Sequence, residues 1–366
     1  LEQGPPDRRL LDVDASNIRF TSGTTANFKG VVLSHGGIGE RIAAANRALR
    51  ISERDTVFFG LQMAHHFAVS VMLHLSVGAT IVTGGVFLAD SMVRQIRRHR
   101  ATIIYTTPVS YRMMADAPNA DRSALADVRL AISTAMALPA SVAGAFEERF
   151  GRPLSQALGI IEVGMPIMNL PGPDFAPGAL GRLIEGFEAQ VIDENGRPLS
   201  HDAPVGAAGG SVGPDPVGQL LLKGPGMLAA YYAPWRSRDK LLHDGWFASG
   251  DLVRRDRDGN FFIVGRAKDV INVGGTKVFP YEIEEVLVAC EAVAEAVVIA
   301  APDDVLGEVP MASVVLRPGA SATSQALIEH CRRSLSPFKL PRHVQIVAQL
   351  PRTHSGKIAR TRLATP

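Results

Sequence analysis

The sequence predicts an α/β protein. A large N-terminal domain should hold a mixed, largely parallel sheet and a small β-barrel-like subdomain, with a small α+β domain at the C-terminus. Three observations carry this expectation. Short β-rich runs alternate with helix-length segments through the first half, the spacing of βαβ units. From Gly178 the texture changes to short strands divided by Gly, Pro and Asp turns, as in a small barrel. After Gly265 a charged helix and further strands occupy about a hundred residues, a size that folds alone.

The elements follow in order. Ile18–Thr21 and Val31–Leu33 read as strands around a turn, and Gly36–Leu49 as a helix. Thr56–Gly60, Thr80–Thr83 and Thr102–Tyr105 read as short buried strands, each separated by a helix-length segment. Val191–Asp193, Gln219–Leu222, Leu252–Arg254 and Phe261–Val264 are the strands of the β-rich part. Pro280–Cys290 is a charged helix, and Ala296–Ala300, Ala312–Leu316 and Val344–Val347 are strands around a helix at Ser324–Ser334. The domains are therefore set at 1–177, 178–266 and 267–366, and Gly206–Gly213 reads as a surface loop.

Composition narrows the function classes. The chain has 366 residues, 46% hydrophobic and 20% charged, with a net charge of +2. So weak a charge leaves no electrostatic footprint for nucleic acid or an acidic membrane surface. Cys290 and Cys331 belong to no CxxC pair, so neither a disulfide framework nor a zinc site is expected, and a reducing cytoplasm fits. Leu1–Ser16 carries no basic-then-apolar signal pattern. The apolar stretch Phe67–Val86 is interrupted by His74, Gly78, Gly84 and Gly85 and reads as a buried strand–helix pair, since a span needs about 20 apolar residues.

Five segments concentrate polar chemistry. Thr21-Ser22-Gly23-Thr24-Thr25-Ala26-Asn27-Phe28-Lys29-Gly30 sets hydroxyls, glycines and a lysine between two strands. Its hydroxyls and backbone N–H groups can donate to phosphate oxygens, and Lys29 adds a point charge. It is not a Walker A loop, because its lysine precedes the final glycine. Gln156–Glu162 ends in a carboxylate. Trp246-Phe247-Ala248-Ser249-Gly250-Asp251 places an aspartate on a turn. Gly265–Val278 contains Arg266, Lys268 and the Gly274–Gly275 pair, and Leu350–Arg360 contains Lys357. Taken singly, each would pass for a solvated turn, a hairpin or a basic tail.

Taken together, in this order and register, they resemble the adenylate-forming superfamily of acyl-CoA synthetases, peptide-synthetase adenylation domains and luciferases. FTSGTTANFKGVVLSH is similar to the family's phosphate loop, (Y/F)TSGTTGxPKGV. QALGIIE matches xYGxTE, WFASGD matches W(F/Y)xTGD, GRAKDVINVGGTKVFPYEIE matches GRxKDxIxxxGxxIxPxEIE, and LPRTHSGKIAR matches LPRTxSGKxxR, the form commoner in CoA ligases. The resemblance runs from Phe20 to Arg360. It implies that Thr21, Ser22, Gly23, Thr24, Thr25 and Lys29 bind phosphates. Ser133, Gln156, Leu158, Gly159 and Ile161 would border the nucleotide and acyl group. Glu162 would hold Mg²⁺, Asp251 and Arg266 the ribose or phosphate, and Lys357 would bridge the substrate carboxylate and α-phosphate. Lys268 would mark a hinge about which the C-terminal domain turns, and Gly274 and Gly275 would line a pantetheine tunnel. His66, aligned with the family's PxFH segment, would border the acyl pocket and count among the catalytic residues with Lys357 and Glu162.

The implied activity joins a carboxylic acid to coenzyme A through an acyl-adenylate made from ATP. The lining residues Met136, Leu158, Ile160 and Val163 suggest an apolar or bulky acid. Relatives of this kind carry a further N-terminal portion ahead of the phosphate loop, so the sequence reads as shortened. Ala26, Phe28, Leu158 and Ile161 depart from the family where it holds adenine and phosphates; isoleucine, for one, cannot donate a hydrogen bond. Three alternatives therefore stand beside the full ligase. One is a homologue that takes acyl-AMP from a partner ligase and forms only the thioester. Another is an enzyme loading a carrier protein, and the last is a binding scaffold.

Overall fold

The computed structural model describes residues 7–21, 29–83, 88–118, 120, 122–199, 216–352 and 358–363. Strands β1 (Ala15–Thr21) and β2 (Lys29–Ser34) form an antiparallel hairpin in which Thr21 faces Lys29. Ser34 then caps the helix His35–Leu49, its side chain accepting from the Gly37 N–H at 3.0 Å. The buried stripe of that helix is Ile38, Arg41, Ala44, Ala45 and Leu49, the spacing of one helical face, and it contains an arginine.

Strands β3 (Thr56–Phe59), β4 (Thr80–Thr83), β5 (Ile103–Thr106), β6 (Leu130–Ser133), β7 (Ser155–Ile160), β8 (Gly164–Asn169) and β9 (Arg182–Leu183) make a seven-stranded sheet in the order β4-β3-β5-β6-β7-β8-β9. β3 to β7 run parallel, and β8 and β9 return antiparallel. The α/β class and mixed sheet expected from the alternation are what the chain adopts. Helices Ala89–Arg98, Pro108–Ala115 and Ala140–Phe150 cover one face, where Phe58, Ile104, Tyr111, Phe146 and Phe150 pack with helix residues such as Met92 and Ile96. Because β4 and β5 lie on opposite sides of β3, the chain reverses direction across the sheet there. In open α/β sheets such a reversal opens a crevice at the carboxyl ends of the strands.

Strands β10 (Glu188–Ile192), β11 (Val217–Lys223), β12 (Ala230–Tyr231), β13 (Arg236–Ser237), β14 (Phe247–Arg255) and β15 (Phe261–Arg266) complete the middle of the chain. β10-β11-β14-β15 is a four-stranded sheet holding the predicted β-rich run. β12 instead pairs with β2, so Tyr231 lies opposite Val31.

The chain divides into two compact units. The second comprises Val217–Gln219, Gly250–Arg254 and Ile263–Pro366, and the first the remainder. The second unit carries β16 (Ile271–Val273), β17 (Thr276–Val278), β18 (Val293–Asp303), β19 (Gly307–Leu316) and β20 (His343–Ile346) with helices Pro280–Ala289 and Ser324–Arg332. Its apolar core is built from its own residues, among them Ile271, Ile283, Leu287, Val298, Val314 and Leu327. Among the described residues no helix is long and apolar enough to cross a membrane.

Candidate active site

In the first unit the carboxyl ends of β3, β5, β6 and β7 line one edge of the sheet, and most of the described sites predicted for this unit lie there or just beyond. β3 leads through Gly60 into the helix Met63–His66, which continues as a π-helical turn at Phe67–Val71. Such turns recur at functional sites. His66 is half-buried there, its ring edge-on to Phe59 at 6.2 Å between centroids. β6 ends in Ser133, fully buried, its hydroxyl without a hydrogen-bond partner among the described residues. Thr134 follows and donates from Oγ1 to the Ala157 carbonyl at 3.0 Å.

β7 carries Gln156, buried, Leu158, half-buried, and Gly159, exposed. The register slips where Leu158 faces Ile167 and Ile160 faces Gly164, so two β8 residues, Met165 and Pro166, stand opposite the single β7 residue Gly159. A bulge of this kind beside a site re-aims the strand's end. Ile161 and Glu162 form the turn between β7 and β8, closed by the Val163 N–H donating to the Ile160 carbonyl at 2.9 Å.

Glu162 is held from three directions. Its carbonyl accepts from the Leu228 N–H at 2.7 Å. The neighbouring Ile161 carbonyl accepts from Arg41 Nη1 at 3.0 Å. Its carboxylate Oε1 accepts from the Tyr231 hydroxyl at 2.9 Å. The Lys29 ammonium lies 5.2 Å from the centroid of the same tyrosine ring, so the lysine at the end of the predicted phosphate loop and the predicted metal carboxylate share one partner. Burial, then the Glu162 charge, raises Tyr231 above the ordinary phenol range, which keeps it a hydrogen-bond donor at neutral pH. Arg41 also donates from Nε to the Gly226 carbonyl at 2.9 Å. Burial lowers its guanidinium to about 10, against the opposing pull of Glu162. Gly226 has φ +66°, and a Cβ there would meet the Gly37 carbonyl oxygen at 2.2 Å, so only glycine lets this loop lie against the helix.

Sequence reading missed Arg41 and Tyr231. Arg41 left a local signal, a charge inside an apolar helical stripe. Tyr231 left none, because its partners are set by β2–β12 pairing.

In the second unit Asp251 is buried and pairs with Arg266, Nε to Oδ1 at 2.7 Å, so the two predicted ribose ligands meet. Lys268 is exposed on the short turn Ala267–Asp269. Gly274 and Gly275 have φ +55° and +86° and form the two-residue turn of the β16–β17 hairpin. A turn with two positive φ values favours glycine at both places, which explains the pair by backbone geometry alone. Ser22, Gly23, Thr24, Thr25, Lys357 and the loop Gly206–Gly213 lie outside the described residues, as do the departures Ala26 and Phe28; of Thr21 only the backbone is described.

A metal bound by one carboxylate and by phosphate oxygens suits Mg²⁺, which keeps water and seldom occupies an all-protein cage. Glu162 offers a half-buried hard oxygen of that kind. Among the described residues no group of three or more His, Cys, Asp or Glu forms a self-sufficient metal site.

The profile of the AMP-binding enzyme family matches residues 3–232, and that of the AMP-binding enzyme C-terminal domain matches residues 282–357. The chain belongs to the AMP-binding enzyme family. Within this family it is 33% identical over 351 residues to a sulfoacetate–CoA ligase of Cupriavidus necator, covering 94% of this chain and 66% of the relative. It is 30% identical over 354 residues to a 3-hydroxybenzoate–CoA/4-hydroxybenzoate–CoA ligase of Thauera aromatica, covering 94% of this chain and 65% of the relative. ATP-bound MatB of Rhodopseudomonas palustris superposes with a TM-score of 0.85 at 28% identity, covering 95% of this chain and 67% of that one. An anthranilate CoA ligase, AuaEII, in complex with anthranoyl-AMP gives 0.80 at 27% identity, covering 95% and 66%. The chain thus spans about two thirds of the length of the relatives it matches.

Proposed function

We propose that this chain is an acyl-CoA ligase, joining an apolar or bulky carboxylic acid to coenzyme A through an acyl-adenylate formed from ATP. The observation that carries the reading is the convergence of Lys29 and Glu162 on Tyr231 at the carboxyl edge of the parallel sheet. The names of the relatives, CoA ligases acting on sulfoacetate and hydroxybenzoates, support the reaction class.

In this reading Lys29 and the hydroxyls of the loop from Thr21 to Thr25 bind the phosphates of ATP. Mg²⁺, when bound, neutralises phosphate charge and draws electron density from the phosphorus under attack. Glu162 is the carboxylate that would hold it. Lys357 neutralises charge as the substrate carboxylate oxygen attacks the α-phosphorus and pyrophosphate leaves. Asp251 and Arg266 hold the ribose or phosphate of the adenylate, and Lys268 serves as the hinge of the domain 267–366. The thiol of CoA, guided past Gly274 and Gly275, then attacks the acyl carbonyl and AMP departs. His66, Ser133, Gln156, Leu158, Gly159 and Ile161 border the acyl and nucleotide groups.

A second reading is favoured by the sequence: Leu158 and Ile161 are apolar at positions to which the family resemblance assigns contacts with adenine and phosphate. In that reading the chain takes acyl-AMP from a partner ligase and carries out only the thioester step. Pyrophosphate exchange decides between them. Acid-dependent exchange of label from pyrophosphate into ATP is the expected outcome. Absence of exchange, with CoA thioester formed from synthetic acyl-AMP, would overturn the adenylating reading in favour of the second.

A further inference from the structure

We infer that Tyr231 is the positioning residue of the Glu162 carboxylate and couples it to Lys29. The inference rests on the adenylating reading above and assigns a role to a residue outside the motifs that led to it.

A glutamate side chain is flexible, and one meant to ligate a metal needs a fixed rotamer. Ligating carboxylates are commonly held by an outer hydrogen bond, and removing that bond weakens metal binding. Tyr231 supplies such a bond to Oε1 at 2.9 Å. Glu162 would hold the ion through this carboxylate, whose direction the Tyr231 bond fixes. The ring that carries this hydroxyl is buried.

The ring of Tyr231 has a second use. The Lys29 ammonium sits over it at 5.2 Å. β2 and β12 are paired with Tyr231 opposite Val31, and the Tyr232 N–H donates to the Gly30 carbonyl at 2.7 Å. Lys29 is therefore a diagonal cross-strand neighbour of Tyr231, within reach of a long side chain. The backbone frame is rigid on the other side too: the Leu228 N–H and Arg41 hold the carbonyls of Glu162 and Ile161. One aromatic side chain thus sets the distance between the cation that meets the phosphates and the carboxylate that meets their metal.

The test separates the hydroxyl from the ring. Binding of a non-hydrolysable ATP analogue is measured by calorimetry across a Mg²⁺ titration for the wild type, Tyr231→Phe, Tyr231→Leu and Glu162→Gln. Tyr231→Phe keeps the ring under Lys29 and loses the hydroxyl. It is expected to raise the Mg²⁺ concentration at half-effect by about 10–100-fold while leaving metal-free analogue binding unchanged. Tyr231→Leu is expected to weaken metal-free binding as well, because Lys29 loses its platform. Adding Tyr231→Phe to Glu162→Gln should produce no further Mg²⁺ shift. An unmoved Mg²⁺ midpoint in Tyr231→Phe, with the wild type responding to Mg²⁺, overturns this inference alone. Failure of the wild type to bind the analogue overturns the adenylating reading and this inference with it.

Discussion

His74 is completely buried, with neither ring nitrogen hydrogen-bonded among the described residues. It packs edge-on against Phe59 and Tyr105, at 6.0 and 5.8 Å. Burial lowers its pKa to about 4, with Asp55 opposing. Above the unfolded histidine value, near 6.5, the ring is neutral in both states and adds no pH dependence. As pH falls from 6.5 towards 4 the unfolded chain gains a proton that the folded chain refuses, so stability is lost at up to about 1.4 kcal/mol per pH unit. His74→Met, which keeps an apolar filler of similar size, should abolish that component. Urea midpoints measured between pH 7 and 4.5 would check this, and equal pH slopes in the two proteins would refute it.

At the scale of elements, the segment Leu350–Arg360 is anchored at both ends. Arg352 pairs with Glu295 on β18. Arg360 pairs with Glu284 on the helix Pro280–Ala289, Nη2 to Oε1 at 2.7 Å, and its Nη1 donates to the Val298 carbonyl. Glu284 is nearly buried and also accepts from the Val298 N–H at 2.7 Å. Its carboxyl is pushed up by burial, which the Arg360 charge opposes. Arg360→Ala leaves that carboxylate without its cation and should lower the stability of the second unit by about 3 kcal/mol. Adding Glu284→Leu should recover part of the loss, and a double variant as unstable as the sum of both singles would count against a coupled pair. Elements of this kind were partly legible: periodicity located the helices Gly36–Leu49 and Pro280–Cys290 to within a residue or so of their observed ends. The glycine pair Gly274–Gly275 was legible as a motif, but its positive φ values were not.

For the molecule as a whole, the second unit's core is drawn from residues 271–344. Both tryptophans, Trp235 and Trp246, belong to the first unit. Ile283, fully buried in the second core, offers a test of separate stability. Ile283→Ala should cost about 2–5 kcal/mol and shift part of the far-ultraviolet circular dichroism transition. The tryptophan fluorescence midpoint should stay in place. A fluorescence midpoint that moves with it would mean that the two units unfold as one.

The sequence by itself determined the alternation of strands and helices and the order of the chemical motifs, because both are written in local spacing. It therefore named Glu162, Lys29, Asp251 and Arg266 as candidates within their segments. Only the tertiary structure decided what stands beside them. Tyr231 reaches Glu162 across 69 positions of chain and Arg41 reaches Ile161 across 120. Those meetings depend on β12 choosing β2 as its partner and on a helix face closing over a glycine, outcomes of packing summed over the whole domain rather than of any neighbouring residues.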